Sequence, residues 1–213
     1  MDLEHHTPSL IHLRAFARAR VAGRATHVAA DRQQVSAGAN DRIFAFVYEK
    51  FLSGVIEYVS NGSRGGALDR AVAGASERMR PSYAAAAVGM ARAIADLAPA
   101  SVSRRQRNVV VLVNDDDVVS LRIHLVFELA GGQRLCAFLY FSEQRLTDVE
   151  LAVMETAIAL ATSQIDPTAR PALINVRSGM VRHIDRIAAT TRARVAFLVQ
   201  MSSDYRAEWA VSA

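Results

Sequence analysis

Three consecutive acids, Asp115, Asp116 and Asp117, make the densest group of oxygen ligands in the sequence. A calcium loop of the EF-hand type needs ligands at alternate positions, a central glycine and a distal glutamate, and the acids here do not follow that pattern. They read as a solvated turn. The six histidines are His5, His6, His12, His27, His124 and His183, and no pair shows the His-x-x-x-His or His-Glu-x-x-His spacing of a zinc site. His5 and His6 read as a mobile terminus. His124 stands out, because an extended chain would set it on one strand face with Arg122 and Glu128. These three are candidate binding residues. Lys50 is the only lysine, which excludes a Walker A loop. Neither a Gly-x-Ser-x-Gly elbow nor a Gly-x-Gly-x-x-Gly fingerprint is present. Cys136, the single cysteine, excludes an intramolecular disulfide and a Cys-rich metal site, and it reads as a small buried hydrophobe in a strand.

The elements that must position these residues change period along the chain. Leu10, Leu13, Ala17 and Val21 recur at helical spacing over 9–22. Residues 23–40 are polar and read as a linker, so residues 1–39 form a helical arm with its linker, and 40–213 form a single α+β domain. Asn40 can cap a helix that carries Ile43, Val47, Phe51, Val55 and Tyr58 on one face and ends at Asn61-Gly62. A Gly/Ser connector leads to helices over 68–79 and 81–97. The second is rich in small residues, which permits close approach of a neighbour. The period then falls to two. Val109–Val113 reads as a strand, 118–129 as a longer one, and 134–141 as its partner across a two-residue turn at Gly131-Gly132.

Counting from that turn pairs Phe127 with Cys136, Leu125 with Phe138 and Ile123 with Tyr140 on a core face. The opposite face pairs Glu128 with Leu135, His124 with Leu139 and Arg122 with Phe141, a mixed surface that could line a groove. Thr147-Asp148-Val149-Glu150 is a capping box that opens a helix to about Ser163. A short strand over 173–176, a turn at Ser178-Gly179 and a long helix over 180–201 follow. Trp209 is expected to dock on the body or on a dimer mate.

The order helix-strand-strand-strand-helix-strand over residues 81–176, with N-terminal helices and a long C-terminal helix around it, resembles the core of the restriction-endonuclease-like PD-(D/E)XK superfamily. The resemblance is one of topology and covers about half the chain. It implies an acid entering the second strand, met by Asp117, and an acid-x-lysine on the third, met by Glu143-x-Arg145. In that family the two acids hold magnesium or manganese and the lysine assists an attacking water in phosphodiester hydrolysis. Glu49 or Glu57 would supply a further acid. The counted register sets Glu143 opposite Ser120. Arg145 departs from the pattern, since a guanidinium does not readily release a proton. The reading therefore favours a non-enzymatic binding or regulatory protein on this scaffold. A divalent-metal nuclease and a nucleic-acid binder without cleavage are the alternatives.

Composition sets the remaining bounds. The chain has 213 residues, 51% hydrophobic and 22% charged, which suits a globular domain rather than disorder. Of 25 basic residues all but Lys50 are arginine, and the net charge is +4, which permits a nucleic-acid partner. No secretory signal or spanning segment is visible, so a cytoplasmic protein is expected, with no membrane partner and no resident cofactor. Apolar termini and the small-residue helix point to a protein partner or a homodimer.

Overall fold

The computed structural model describes residues 6–19, 21–36 and 40–211. They form α1 (Leu10–Arg18), α2 (Val21–Ser36), α3 (Asn40–Ser60), α4 (Ala67–Ala73), α5 (Arg80–Leu97), β1 (Ser101–Arg104), β2 (Val109–Val113), β3 (Asp116–Leu121), β4 (Leu125–Glu128), β5 (Arg134–Tyr140), α6 (Asp148–Ile165), β6 (Arg170–Asn175), β7 (Met180–His183), α7 (Arg186–Ala189) and α8 (Arg192–Val211). The class is α+β, as expected. Five strands make one sheet in the order β1-β4-β5-β6-β7, and β2 and β3 make a separate hairpin. β1, β4 and β5 run antiparallel, β6 is parallel to β5 through the α6 crossover, and β7 returns antiparallel. No helix among the described residues is long and apolar enough to cross a membrane.

The sheet is the middle of three layers. β5 is a continuous apolar run from Leu135 to Tyr140, the pattern of a strand covered on both sides. Leu135, Ala137 and Leu139 pack with Phe51 and Val55 of α3 and with Met90 and Ile94 of α5. Cys136, Phe138 and Tyr140 pack with Leu13 and Phe16 of α1, Ile158 of α6 and Tyr205 of α8. The β2–β3 hairpin joins this second layer through Val111, Val118 and Val119.

The counted register is therefore off by one. Phe127 pairs with Leu135 and Leu125 with Ala137. Residues 130–132 form a three-residue loop, closed by Leu129 N–H donating to Gln133 O at 2.7 Å, with Gly131 and Gly132 at φ +81° and +76°. A slip of one residue exchanges the faces of a strand, so the mixed second face does not exist: both faces of β5 are buried. The expected strand over 118–129 is also broken. β3 ends at Leu121 and pairs with β2, and residues 122–124 carry the chain across to β4.

Of the three acids, Asp115 lies in the β2–β3 turn and Asp116 and Asp117 open β3. Asn114 and Asp115 have φ +51° and +67°, the conformation that a two-residue hairpin turn requires and that Asn and Asp tolerate. The outer edge of β2 is met by α6: the Gln164 amide, oriented by its hydrogen bonds, donates to Val110 O at 3.2 Å and accepts from Leu112 N at 3.0 Å.

Both ends of the chain differ from expectation. Residues 23–36, read as a linker, belong to helix α2. Leu10, Leu13, Phe16 and Ala17 of α1 are buried. Phe51 and Val55 of α3 are buried as expected, whereas the side chains of Val21, Ile43 and Val47 lie outside the described residues, as does His5. His6, expected to be loose, stacks on Trp209 with ring centroids 4.0 Å apart, so the tryptophan docks within its own chain. The expected helix from residue 180 is three elements. Met180–His183 pairs with β6, Asp185 caps the short α7 through Ala188 N (3.2 Å), and α8 begins at Arg192.

Candidate functional site

β5 and β6 end side by side, Tyr140 opposite Asn175. Carboxyl ends of parallel strands are where open sheets with helices on both faces receive ligands. Beyond β5 the apolar run gives way to Ser142-Glu143-Gln144-Arg145, and beyond β6 to Arg177-Ser178. Arg177 organises this edge. Its Nε donates to Phe141 O at 3.2 Å and its Nη2 to Ser82 Oγ, in the first turn of α5, at 3.0 Å. Its Nη1 lies 2.6 Å from Glu143 Oε1, and the Glu143 side chain is 76% exposed. Asn175 Oδ1 accepts from Arg177 N (3.1 Å) and Ser178 N (3.2 Å), shaping the turn.

That turn is pressed against α5. A Cβ on Gly89 would stand 2.2 Å from Val176 O, and one on Gly179, at φ +74°, would stand 2.5 Å from Gly89 O. The close neighbour that the small residues of α5 permit is thus the β6–β7 turn, which Gly89 lets approach near enough for Arg177 to reach Ser82.

A second network lies beneath the loop that leaves β5. Arg14 Nη1 donates to Tyr140 Oη at 2.8 Å, and Tyr140 Oη donates to Gln144 O at 2.7 Å. Glu150 is fully buried. Its Oε2 accepts from Thr147 N (2.8 Å) and Thr147 Oγ1 (2.9 Å), half of the expected capping box, while Glu150 N–H donates to Thr147 Oγ1 (3.3 Å). Arg14 stands 3.5 Å and Arg18 3.7 Å from the same carboxylate. Arg18 also reaches Arg145 O at 3.5 Å. Two guanidiniums from α1 thus hold the 141–147 loop and the start of α6 in place, the kind of pairing a buried carboxylate requires.

The two acids of the nuclease-like reading have different partners. Asp117 is exposed on the β2–β3 hairpin and accepts from Thr7 Oγ1 at 3.5 Å. Glu143 faces Arg177 beyond the end of β5, in the other sheet. It is not opposite Ser120, whose N–H donates to Pro8 O at 2.9 Å and whose strand pairs with β2. Arg145 is exposed beside Glu143. Glu49 pairs with Arg104 and Glu57 with Arg70, and Lys50 Nζ donates to Gly74 O at 3.4 Å. Among the described residues no group of three or more His, Cys, Asp or Glu is placed to hold a metal ion.

The three candidate binding residues serve the sheet. Arg122 donates from Nε to Arg105 O (3.2 Å) and from Nη2 to Gln106 O (2.7 Å). Glu128 accepts from Ser101 Oγ at 3.0 Å, at the β1–β4 edge. His124 is buried, and its Nδ1 accepts the Leu139 N–H at 3.0 Å, taking the place of a backbone carbonyl just before β4 begins beside β5. Burial, then Arg122 and Arg104, push its pKa down to about 3.

Sequence reasoning missed Arg177, Ser82, Arg14 and Glu150 as members of one edge. Glu150 was visible as a cap, but only the parallel pairing of β5 with β6 brings Arg177 beside the end of β5. Comparison with protein-family models, curated proteins and solved structures finds no match.

Proposed function

We propose that this chain acts by binding rather than by bond cleavage, and that its ligand offers an anionic group to the carboxyl ends of β5 and β6. Arg177 carries this reading. Two of its nitrogens are fixed by Phe141 O and Ser82 Oγ, so the guanidinium is already oriented, and its remaining contact is to a largely exposed carboxylate. An incoming phosphate or carboxylate that displaces Glu143 meets a fork whose ordering is complete before binding. Arg145, exposed two residues on, supplies a second positive charge. The arginine-dominated basic set makes nucleic acid the first anionic partner to test. The two features that suggested self-association, Trp209 and the small-residue helix, are both used inside the chain, so a homodimer is the weaker part of the expectation.

The test is fluorescence anisotropy with labelled single-stranded RNA, single-stranded DNA and duplex DNA, at about 50 and 200 mM salt, with and without magnesium or manganese. Binding that weakens with salt, falls in Arg177→Gln and Arg145→Ala, strengthens in Glu143→Gln and leaves the strands intact is the expected result. Absence of binding to all three overturns a nucleic-acid ligand. Metal-dependent cleavage that vanishes in Asp117→Ala or Glu143→Ala replaces the reading with a nuclease.

A further inference from the structure

Helix α2 is fastened by a different kind of contact from the helices around it. α6 buries an apolar face that includes Val153, Met154, Ala157 and Ile158. In α2 the described side chains that are buried are Val28 and Asp31. Val35 packs partly buried against the same core, and the remaining anchors are polar. The Arg24 guanidinium sits 4.8 Å from the Phe16 ring and 3.6 Å from Asp204 of α8. Arg32 Nη1 donates to Trp209 O at 2.7 Å and stands 5.7 Å from the indole. Asp31 is the hub: its Oδ2 accepts from Tyr205 Oη at 3.3 Å and lies 3.1 Å from His27 Nε2, and its Oδ1 lies 3.9 Å from His12 Nε2 on α1.

We propose that α2 is a strap, closed over the surface formed by α1 and α8, that lifts as a unit while the sheet and its helices stay folded, and that salt and loss of the His27 proton both open it. Salt weakens it through the Arg24–Asp204 pair, whose side chains are partly exposed, where screening acts over about 8 Å at physiological ionic strength. A helix with few buried apolar contacts belongs to the low end of local stability.

The proton dependence follows from the groups that face His27: Asp31 on α2 at 3.1 Å, the His12 carbonyl on α1 at 3.5 Å and the charge of Arg14 on α1, with Asp31 itself shared with Tyr205 of α8 and the His12 ring. The hydrogen bond to Asp31 raises the His27 pKa, against burial and the Arg14 charge. A raised value means that the folded state holds the proton more tightly than the unfolded one. The stabilisation is complete below the ordinary 6.5 and is lost as pH climbs through the raised value. The strap is therefore tighter in mild acid and looser in mild alkali.

Hydrogen–deuterium exchange on the full chain tests this, with rates corrected for the intrinsic effect of pH, between about pH 6 and 8.5 and between low and 0.5 M salt. Peptides from 21–36 should exchange faster with rising pH and salt while β5 and α6 keep their protection. Arg24→Ala with Arg32→Ala should speed exchange in α2 at least tenfold, and His27→Gln should remove the pH response but keep the salt response. Trp209 is the single tryptophan, so its emission should shift to the red under the opening conditions. Protection in α6 shows in the same experiment that each variant is folded. If α2 exchanges in step with α6 under every condition, or if His27→Gln retains the full pH response, the proposal is wrong.

Discussion

His124 shows how a residue type with a chemical reputation can serve the backbone. To accept the Leu139 N–H its Nδ1 must be unprotonated, so the ring is the Nε2–H tautomer. Protonation would bury a positive charge beside Arg122 and Arg104 and remove the acceptor. Because its pKa lies near 3 when folded and at the ordinary 6.5 when unfolded, the unfolded chain binds the extra proton between those limits. Its contribution is complete above pH 6.5 and falls toward pH 3, at a slope approaching about 1.4 kcal/mol per pH unit. His124→Ala leaves a buried donor without its acceptor and should cost about 1–3 kcal/mol at neutral pH. In urea denaturation that difference from the parent should shrink as pH is lowered from 6.5. The residue was legible as unusual, flanked by Arg122 and Glu128. Its role was not, because nothing local says that the chain leaves one sheet for another at Leu121.

At the scale of elements, the parts legible in the sequence were those with a local cause. The Thr147–Glu150 box, a turn in the 114–117 segment and the α5 start at Arg80-Pro81 each follow from short-range backbone chemistry. β1 and β7 were missed because edge strands reading Ser-Val-Ser-Arg and Met-Val-Arg-His carry little apolar pattern, and α2 was missed because much of its anchoring runs through Arg24, Asp31 and Arg32 rather than an apolar face. The contact between α5 and the β6–β7 turn tests whether long-range geometry holds the edge together. Gly89→Ala drives a Cβ into backbone at 2.2 Å, where no flexible side chain can yield, and should cost about 3 kcal/mol. Val88→Ala, one position away and 65% exposed, should change stability by no more than about 0.5 kcal/mol. Thermal unfolding of the two variants separates them. Gly89→Ala should also weaken anion binding, since it displaces the turn that carries Arg177.

For the whole molecule, the decisive fact is that β5 belongs to two cores. Its alternate residues anchor opposite layers, so neither layer can lose its packing without disturbing the strand shared with the other. Leu139→Ala, fully inside the α3–α5 side, should cost about 2–5 kcal/mol. It should also lower the urea midpoint seen by Tyr83 on that side and by Tyr140 on the other to the same extent. Two separated midpoints would mean that the layers unfold independently. The apolar run of β5 was plain in the sequence. Its double burial was not, because a continuous run looks the same whether one helix layer covers it or two, and the three-residue loop that decides the facing differs from a two-residue one by a single position.

The amide of Gln164 has a consequence for the chain's behaviour in concentrated solution. Val-Val-Val-Leu-Val in β2 combines high strand propensity with no charge, and Val110 and Leu112 are exposed. Such a segment with an open edge can template pairing with a neighbour and start cross-β aggregation. One side chain from the last turn of α6 occupies the two backbone groups at which that pairing would begin, so colloidal stability and the integrity of the α6 C-terminus are coupled through a single carboxamide.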